Sequence, residues 1–381
     1  ILMLQQFPTT GHMIAALRPE VSTYCICRPA LENQAQAFLG GFPGHVLFAI
    51  KANPMNEVVD ALYEGGIRHF DTASIGEIAS VYDRYDGVIP YFMHPVKGWQ
   101  ATHDAYHQYG VRHFVIDHLD ELGKMHDILG DVDEPPVLVI RLSTPSKDAK
   151  FNLSEKFGVG LDEAVTLLRE ATVRGFPVGL CFHVGSQCET TDGYELAFDL
   201  TARVLAASNA PIKCLDVGGG FPAPYEGTNP PPLSDFMAVI SKRVKALDLP
   251  SDCQLMCEPG RALVATGMSM VAQVQLRRDN VLYLNDGVYG TMGGARLGLH
   301  FPTRTYNKDG EVSTNDLGPF KIFGPTCDSL DVLPYEIDLP SSIAMGDWIE
   351  FGLMGAYGPA VRTEFNGFKP EHFCYVDEPF T

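Results

Sequence analysis

Apolar residues in the first two thirds of the chain come in short unbroken runs, each stopped by a polar or glycine-rich break. The runs Val46–Ile50, Ile67–Phe70, Val88–Phe92, His113–Ile116, Val137–Ile140, Val178–Phe182, Ile212–Val217 and Gln254–Cys257 predict strands. Between them, apolar positions recur at helical spacing. Met55–Glu64, Ile75–Tyr85, Gly98–Tyr109, Leu119–Leu129, Leu161–Arg174, Gly193–Ala206 and Leu233–Ala246 predict amphipathic helices. Strands alternating with helices imply a parallel sheet with right-handed crossovers. Eight such units between Val46 and Cys257 fit an α/β fold of the (β/α)8 barrel type. A doubly wound open sheet is the alternative on pattern alone.

Upstream, Val21–Ile26 reads as a strand that precedes any helical pattern, and Leu31–Leu39 reads as a helix. Beyond residue 265 the texture changes. Met268–Leu276, Asn280–Leu284, Lys321–Phe323, Trp348–Phe351 and His372–Val376 read as strands separated by Gly, Pro and Asp turns, with no long helix. The expected organisation is a barrel over residues 28–265 and a second, mostly β domain formed by 1–27 with 266–381.

Composition adds exclusions. The chain has 381 residues, 45% hydrophobic and 20% charged, which suits a globular protein with a large core. A net charge of −19 argues against nucleic acid or an anionic membrane as partner. No apolar run approaches the roughly 20 residues of a membrane span. Ile1 to Leu4 carry no basic segment of the kind that opens a signal peptide. Nine cysteines, an odd number without C-x2-C spacing, point to neither a disulfide framework nor a zinc site. Reduced thiols, a cytoplasmic location and no metal are expected.

The chemistry lies where strands stop. Lys51, Asp71, His94, Arg141, His183, the turn Gly218-Gly219-Gly220 and Glu258 all fall at strand ends, where β/α barrels build active sites. Each has a plain reading alone: a snorkelling lysine, a core histidine, a tight turn, a surface ion pair with Arg261. Together they point elsewhere. A lysine at the end of a buried strand sits in a drier place, its pKa is expected to fall, and a neutral amine attacks carbonyls to form a Schiff base. Three glycines bring backbone N–H groups close to an anion. Neither the G-x-G-x-x-G spacing nor a P-loop is present. Arg261 suits a phosphate oxygen pair, and Glu258 suits a ring nitrogen that stays protonated. The set asks for an aldehyde carrying a phosphate and a protonatable ring, which is pyridoxal 5′-phosphate. Farther on, Cys327 stands with Asp328 and Asp331 in a Gly-Pro turn, and no base at a recognisable spacing supports a cysteine protease.

With these residues in hand, the chain resembles the fold-type III pyridoxal-phosphate decarboxylases of ornithine, lysine, arginine and diaminopimelate, nearest the eukaryotic-type ornithine branch. The resemblance is carried by Phe48-Ala49-Ile50-Lys51-Ala52-Asn53, Phe70-Asp71-Thr72-Ala73-Ser74, Phe182-His183-Val184-Gly185-Ser186 and Leu215-Asp216-Val217-Gly218-Gly219-Gly220-Phe221-Pro222. It continues through Cys257-Glu258-Pro259-Gly260-Arg261, Asn285-Asp286-Gly287-Val288-Tyr289-Gly290, Gly324-Pro325-Thr326-Cys327-Asp328 and Met354-Gly355-Ala356-Tyr357. It implies an alanine-racemase-like barrel and amino-acid decarboxylation to a (poly)amine and CO2. Lys51 would bond the cofactor, His183 stack on its ring and Glu258 pair its nitrogen. Ser186, Gly218, Gly219, Gly220, Arg261 and Tyr357 would hold its phosphate, and Asp71 and Arg141 would join the polar network. Cys327 would return a proton after CO2 loss. Asp328, Tyr289 and Arg296 would face the amino-acid substrate. The resemblance also implies a homodimer in which Cys327 and Asp328 complete the partner's site.

One stretch departs from the ornithine enzymes. Leu297 and Gly298 stand where that branch carries an aromatic and a second acidic residue, and Arg296 lies beside them. The expected substrate is a basic diamino acid such as L-ornithine or L-lysine. A larger or carboxylate-bearing diamino acid is the alternative, and an amino-acid racemase or a non-catalytic homologue stands further off. Thr144 to Lys156, rich in Lys, Ser and Asp, is expected to act as a lid over the barrel mouth.

Overall fold

The computed structural model describes residues 5–144, 149–151, 155–314, 316–370 and 372–380. Eight parallel strands close into a barrel. They are β1 (His45–Ala49), β2 (His69–Thr72), β3 (Ile89–Phe92), β4 (His113–Ile116), β5 (Val137–Leu142), β6 (Val178–Phe182), β7 (Cys214–Asp216) and β8 (Gln254–Cys257). Neighbours follow chain order, and β8 returns to β1 with Met256 opposite His45 and Cys257 opposite Val46. This is the α/β barrel that the pattern predicts.

Both faces of each strand are covered, so the runs read as continuously apolar rather than alternating. Val46 and Phe48, Phe114 and Ile116, Leu138 and Ile140 pack with helix residues such as Leu62 and Leu122. The opposite parity forms a separate cluster inside the barrel: Leu47, Tyr91, Met93, Val115, Val139, Cys181, Cys214 and Met256. Space there is short. A Cβ on Gly179 of β6 would meet Cys214 Sγ at 2.3 Å.

Several boundaries shift, and the shifts matter. β1 stops at Ala49, and Ile50–Ala52 forms a single 3-10 turn rather than strand. Buried Asn53 explains the turn: its Nδ2 donates to Gly355 O at 2.8 Å and its Oδ1 accepts the Met55 N–H at 3.1 Å. The Tyr357 N–H also donates to Ala52 O at 2.8 Å. Side-chain capture of the backbone thus ends the strand and fixes Lys51. β2 and β5 run past the apolar stretches to include Asp71 and Arg141, which pair with Tyr91 and Cys181.

Nine further strands form a second sheet, and Ala149–Phe151 and Ser186–Cys188 form a separate two-stranded one. The N-terminal Thr23–Ile26 lies in the second sheet, antiparallel to Met268–Arg278 and parallel to His372–Val376, as expected. The sequence reading missed helix Thr10–Leu17, which lies ahead of that strand and puts Met13 and Ile14 against Cys25, Val271, Trp348 and Cys374. It also missed the four-residue strands Thr303–Tyr306 and Ile337–Pro340. Elements this short show too few repeats for a period to register. Among the described residues no helix is long and apolar enough to cross a membrane.

At the N-terminal end of the barrel, His45 and His69 rings lie 4.2 Å apart, and Tyr91 and His113 rings 4.8 Å apart. Burial, with help from neighbouring imidazoles, pushes His69 and His113 down to about 4. Both therefore stay neutral in the fold, whereas the unfolded chain takes up protons near the ordinary histidine value of about 6.5. Their stabilisation is complete above that value and is lost as pH falls toward 4. The melting temperature is expected to drop across this window, and His69→Gln is expected to drop less. Calorimetry of the two proteins side by side isolates the histidine from carboxyls that titrate nearby.

Candidate active site

A cavity of about 430 Å³ opens at the C-terminal ends of the barrel strands. Strand parity supplies its wall. Two residues beyond the interior positions Val139, Cys181, Cys214 and Met256 come Arg141, His183, Asp216 and Glu258. Arg141, His183 and Glu258 border the cavity with Lys51, Asp71, Ser186, Gly219, Gly220, Arg261 and Tyr357. Gly218 does not. It turns the chain at φ +66°, where an added Cβ would lie 2.2 Å from Phe182 O.

Lys51 Nζ donates to Asp71 Oδ2 at 2.7 Å. Its side chain is 44% accessible because it faces the cavity, whereas Asp71 is buried. The expected fall in its pKa is overturned. Burial works against the ammonium, but Asp71, Glu258 and Tyr357 outweigh it and hold the amine charged above its usual range. The dry strand end was visible in the sequence; the carboxyl groups brought to it from other strands were not.

The neighbouring strand ends β7 and β8 add carboxyls to the same cavity mouth. Burial first, then Asp216 and Asp71, push the Glu258 carboxyl well up. Asp216 is fully buried and pushed up to about 6 by the same desolvation. His183 is pushed well down by burial and by the charges of Arg141 and Lys51. It is neutral, and with the Gly185 N–H donating to its Nδ1 at 3.2 Å, its proton belongs on Nε2.

The same cavity holds an anion site. Arg261 is buried yet has no carboxylate partner among the described residues. It donates to Tyr225 Oη at 2.9 Å and reaches Ser186 Oγ only at 3.3 and 3.4 Å. The backbone N–H groups of Gly219 and Gly220 donate to no acceptor among the described residues. A buried guanidinium without a carboxylate partner, beside free amides on a glycine turn, fits a phosphate, and the lysine and Glu258 carboxyl that line the same cavity fit the aldehyde and ring nitrogen of pyridoxal phosphate.

Four predicted residues lie elsewhere. Cys327, Asp328, Tyr289 and Arg296 do not border this cavity. They gather on the second sheet's loops: Tyr289 Oη donates to Asp328 Oδ2 at 2.6 Å, and the Arg296 guanidinium sits 5.5 Å from the Tyr289 ring centre. Tyr289, the Leu330 N–H and Arg296 hold the Asp328 carboxyl below its usual range. Asp331 is structural. Its buried carboxylate accepts the Val288 and Thr326 N–H groups, each at 3.0 Å, and folds the loop around itself.

Sequence reasoning missed Asp216, Tyr225 and Lys97. Strand parity pointed to Asp216; nothing local pointed to Tyr225. Buried Lys97 donates to His94 O and Pro95 O and fastens the turn that carries His94. Of the expected lid, positions 145–148 and 152–154 lie outside the described residues; Ala149–Phe151 pairs with Ser186–Cys188, and Phe157 packs edge-on against His94.

If Arg261 is the anion ligand, inorganic phosphate raises the melting temperature of the wild type. Arg261→Gln is expected to lose most of that protection, as read by differential scanning fluorimetry across a phosphate titration.

Comparison with known proteins agrees with this geometry. The chain is 32% identical over 337 residues to a lysine/ornithine decarboxylase of Selenomonas ruminantium, covering 85% of this chain and 81% of that one. The crystal structure of the lysine/ornithine decarboxylase of Vibrio vulnificus complexed with putrescine superposes with a TM-score of 0.80 at 30% identity, over 94% of both chains. That of an SrLDC mutant in complex with PLP gives a TM-score of 0.86 at 28% identity, over 98% of this chain and 96% of that one. Residues 29–265 match the family described as pyridoxal-dependent decarboxylase, pyridoxal binding domain. This match spans all eight barrel strands and the Lys51, Glu258 and Arg261 cavity, and the chain therefore belongs to the pyridoxal-dependent decarboxylases, with pyridoxal 5′-phosphate as its cofactor.

Proposed function

We propose that the protein decarboxylates a basic amino acid, releasing CO2 and an amine. One observation carries this reading: a single cavity gathers Lys51, Glu258 and an Arg261 guanidinium that has no carboxylate partner among the described residues, beside glycine amides and hydroxyls. Lys51 is the residue that bonds the cofactor. It starts as an ammonium, so its proton must leave, and Asp71 at 2.7 Å is placed to take it. Glu258 pairs the ring nitrogen, and neutral His183 offers an uncharged ring face. Arg261, Ser186, Tyr357 and the Gly218–Gly220 turn hold the phosphate. The bound cofactor supplies an electron sink for the pair left behind by CO2.

In this reading Lys51 and Glu258 are committed to the cofactor, and the proton that finishes the reaction comes from a second copy of the chain. We read residues 28–265 as the cofactor domain and 1–27 with 266–381 as the domain that completes the site of a second copy. Cys327 is exposed, and Leu297 and Leu330 near it are each 62% accessible, an apolar margin that a partner would cover. Cys327 would then protonate the product, and Asp328 would meet the distal amine. Arg296 beside Asp328 argues for a substrate with an acceptor near that amine as well.

CO2 release by the cofactor-loaded protein is to be measured with L-lysine, L-ornithine, L-arginine and meso-diaminopimelate. Turnover of at least one is expected, and Lys51→Ala is expected to abolish it. Preference for meso-diaminopimelate would assign Arg296 to a distal carboxylate. No CO2 from any of the four would sink the proposal.

A further inference from the structure

Asp216 ends β7 inside the barrel and is fully buried. Its Oδ1 accepts the Gly218 N–H at 2.8 Å. Its Oδ2 is sealed from solvent and meets no donor among the described residues. The Glu258 carboxyl is its neighbour: β7 pairs with β8, and the Glu258 N–H donates to Gly218 O at 2.9 Å. Two bare carboxylates are both acceptors and repel, so the pair must hold one proton. Around the pair, Asp71 adds negative charge while Arg141 and Lys51 add positive charge, and the thiols of Cys181, Cys214 and Cys257 complete the surroundings.

In the protein alone, burial and like charge push both carboxyls up, so the pair shares one proton. A protonated ring nitrogen needs a bare acceptor at Glu258, which leaves Asp216 to hold the shared proton. Asp216 Oδ1 is already engaged with Gly218, which leaves Oδ2. We propose that Asp216 is a positioning residue that holds this proton when the cofactor is bound and, as a neutral carboxylic acid, donates it to Glu258 as a hydrogen bond. The pair keeps its one proton throughout, and none is released. The inference rests on the proposed reading that Glu258 faces the ring nitrogen.

Asn at position 216 copies the proposed state. Its Oδ1 keeps the Gly218 contact and its Nδ2 is a permanent donor toward Glu258. Equilibrium titration with pyridoxal phosphate is expected to give Asp216→Asn an affinity close to wild type, and Asp216→Ala one weaker by roughly tenfold or more. Infrared difference spectra of the loaded proteins supply a second readout that does not depend on the Ala variant folding. Loaded wild type is expected to show a carboxylic-acid C=O stretch that Asp216→Asn lacks. Asp216→Asn binding as weakly as Asp216→Ala, or no such stretch in loaded wild type, would overturn the inference by making Asp216 an anion. A wild type that binds no pyridoxal phosphate at all would instead remove the Glu258 reading beneath it.

Discussion

The site depends on an ion pair inside a closed barrel. Lys51 meets Asp71 at 2.7 Å, and Glu258 and Asp216 lie within the same buried charge field. Taking such groups from water is costly, and a barrel filled with apolar side chains at these positions would be at least as stable. Their value is chemical. The carboxyls hold Lys51 charged until a carbonyl is present, and Asp71 offers the proton a place to go. The low dielectric that raises Glu258 also strengthens any contact it makes with a protonated nitrogen.

Rigidity comes from outside the barrel. Asn53 and Ala52 bond to Gly355 and Tyr357, so the turn that carries Lys51 is held by a segment of the second sheet's half of the chain. Tyr357 itself adopts φ +59°, a left-handed conformation costly for a tyrosine, and its ring lies 5.0 Å from the Arg261 guanidinium. The same short segment therefore fixes the lysine and walls the anion site. One clasp thus reaches both the lysine and the anion site, and it ties the sheet to the barrel mouth.

In the proposed reading, substrate choice is drawn from a different neighbourhood. Tyr289, Asp328 and Arg296 form a small mixed-charge cluster on the loops beyond the sheet, braced by buried Asp331. A lone carboxylate there would select an ammonium. A carboxylate already facing a guanidinium selects less strongly for bare positive charge and better for a group that carries both signs. In that reading the barrel meets the reaction's core demands, and this cluster sets the side chain it acts on.

The sequence by itself determined the barrel, because eight apolar runs spaced by amphipathic helices have few other ways to bury both faces of a sheet. It also marked Lys51, His183, Gly218 to Gly220, Glu258 and Arg261, since strand ends in a barrel converge on one mouth. Elements of four to eight residues, such as Thr10–Leu17 and Thr303–Tyr306, were beyond its reach, because their burial comes from distant partners rather than from a period of their own. Only the tertiary structure decided the charge state of Lys51. Desolvation is a local property that a strand end reveals, but Asp71 and Glu258 come from other strands, and Coulomb interaction depends on distance through space. For the same reason Asp216 gained a role only when β7 was seen beside β8, and Cys327 and Asp328, expected to complete a second copy's site, lie outside this chain's own cavity.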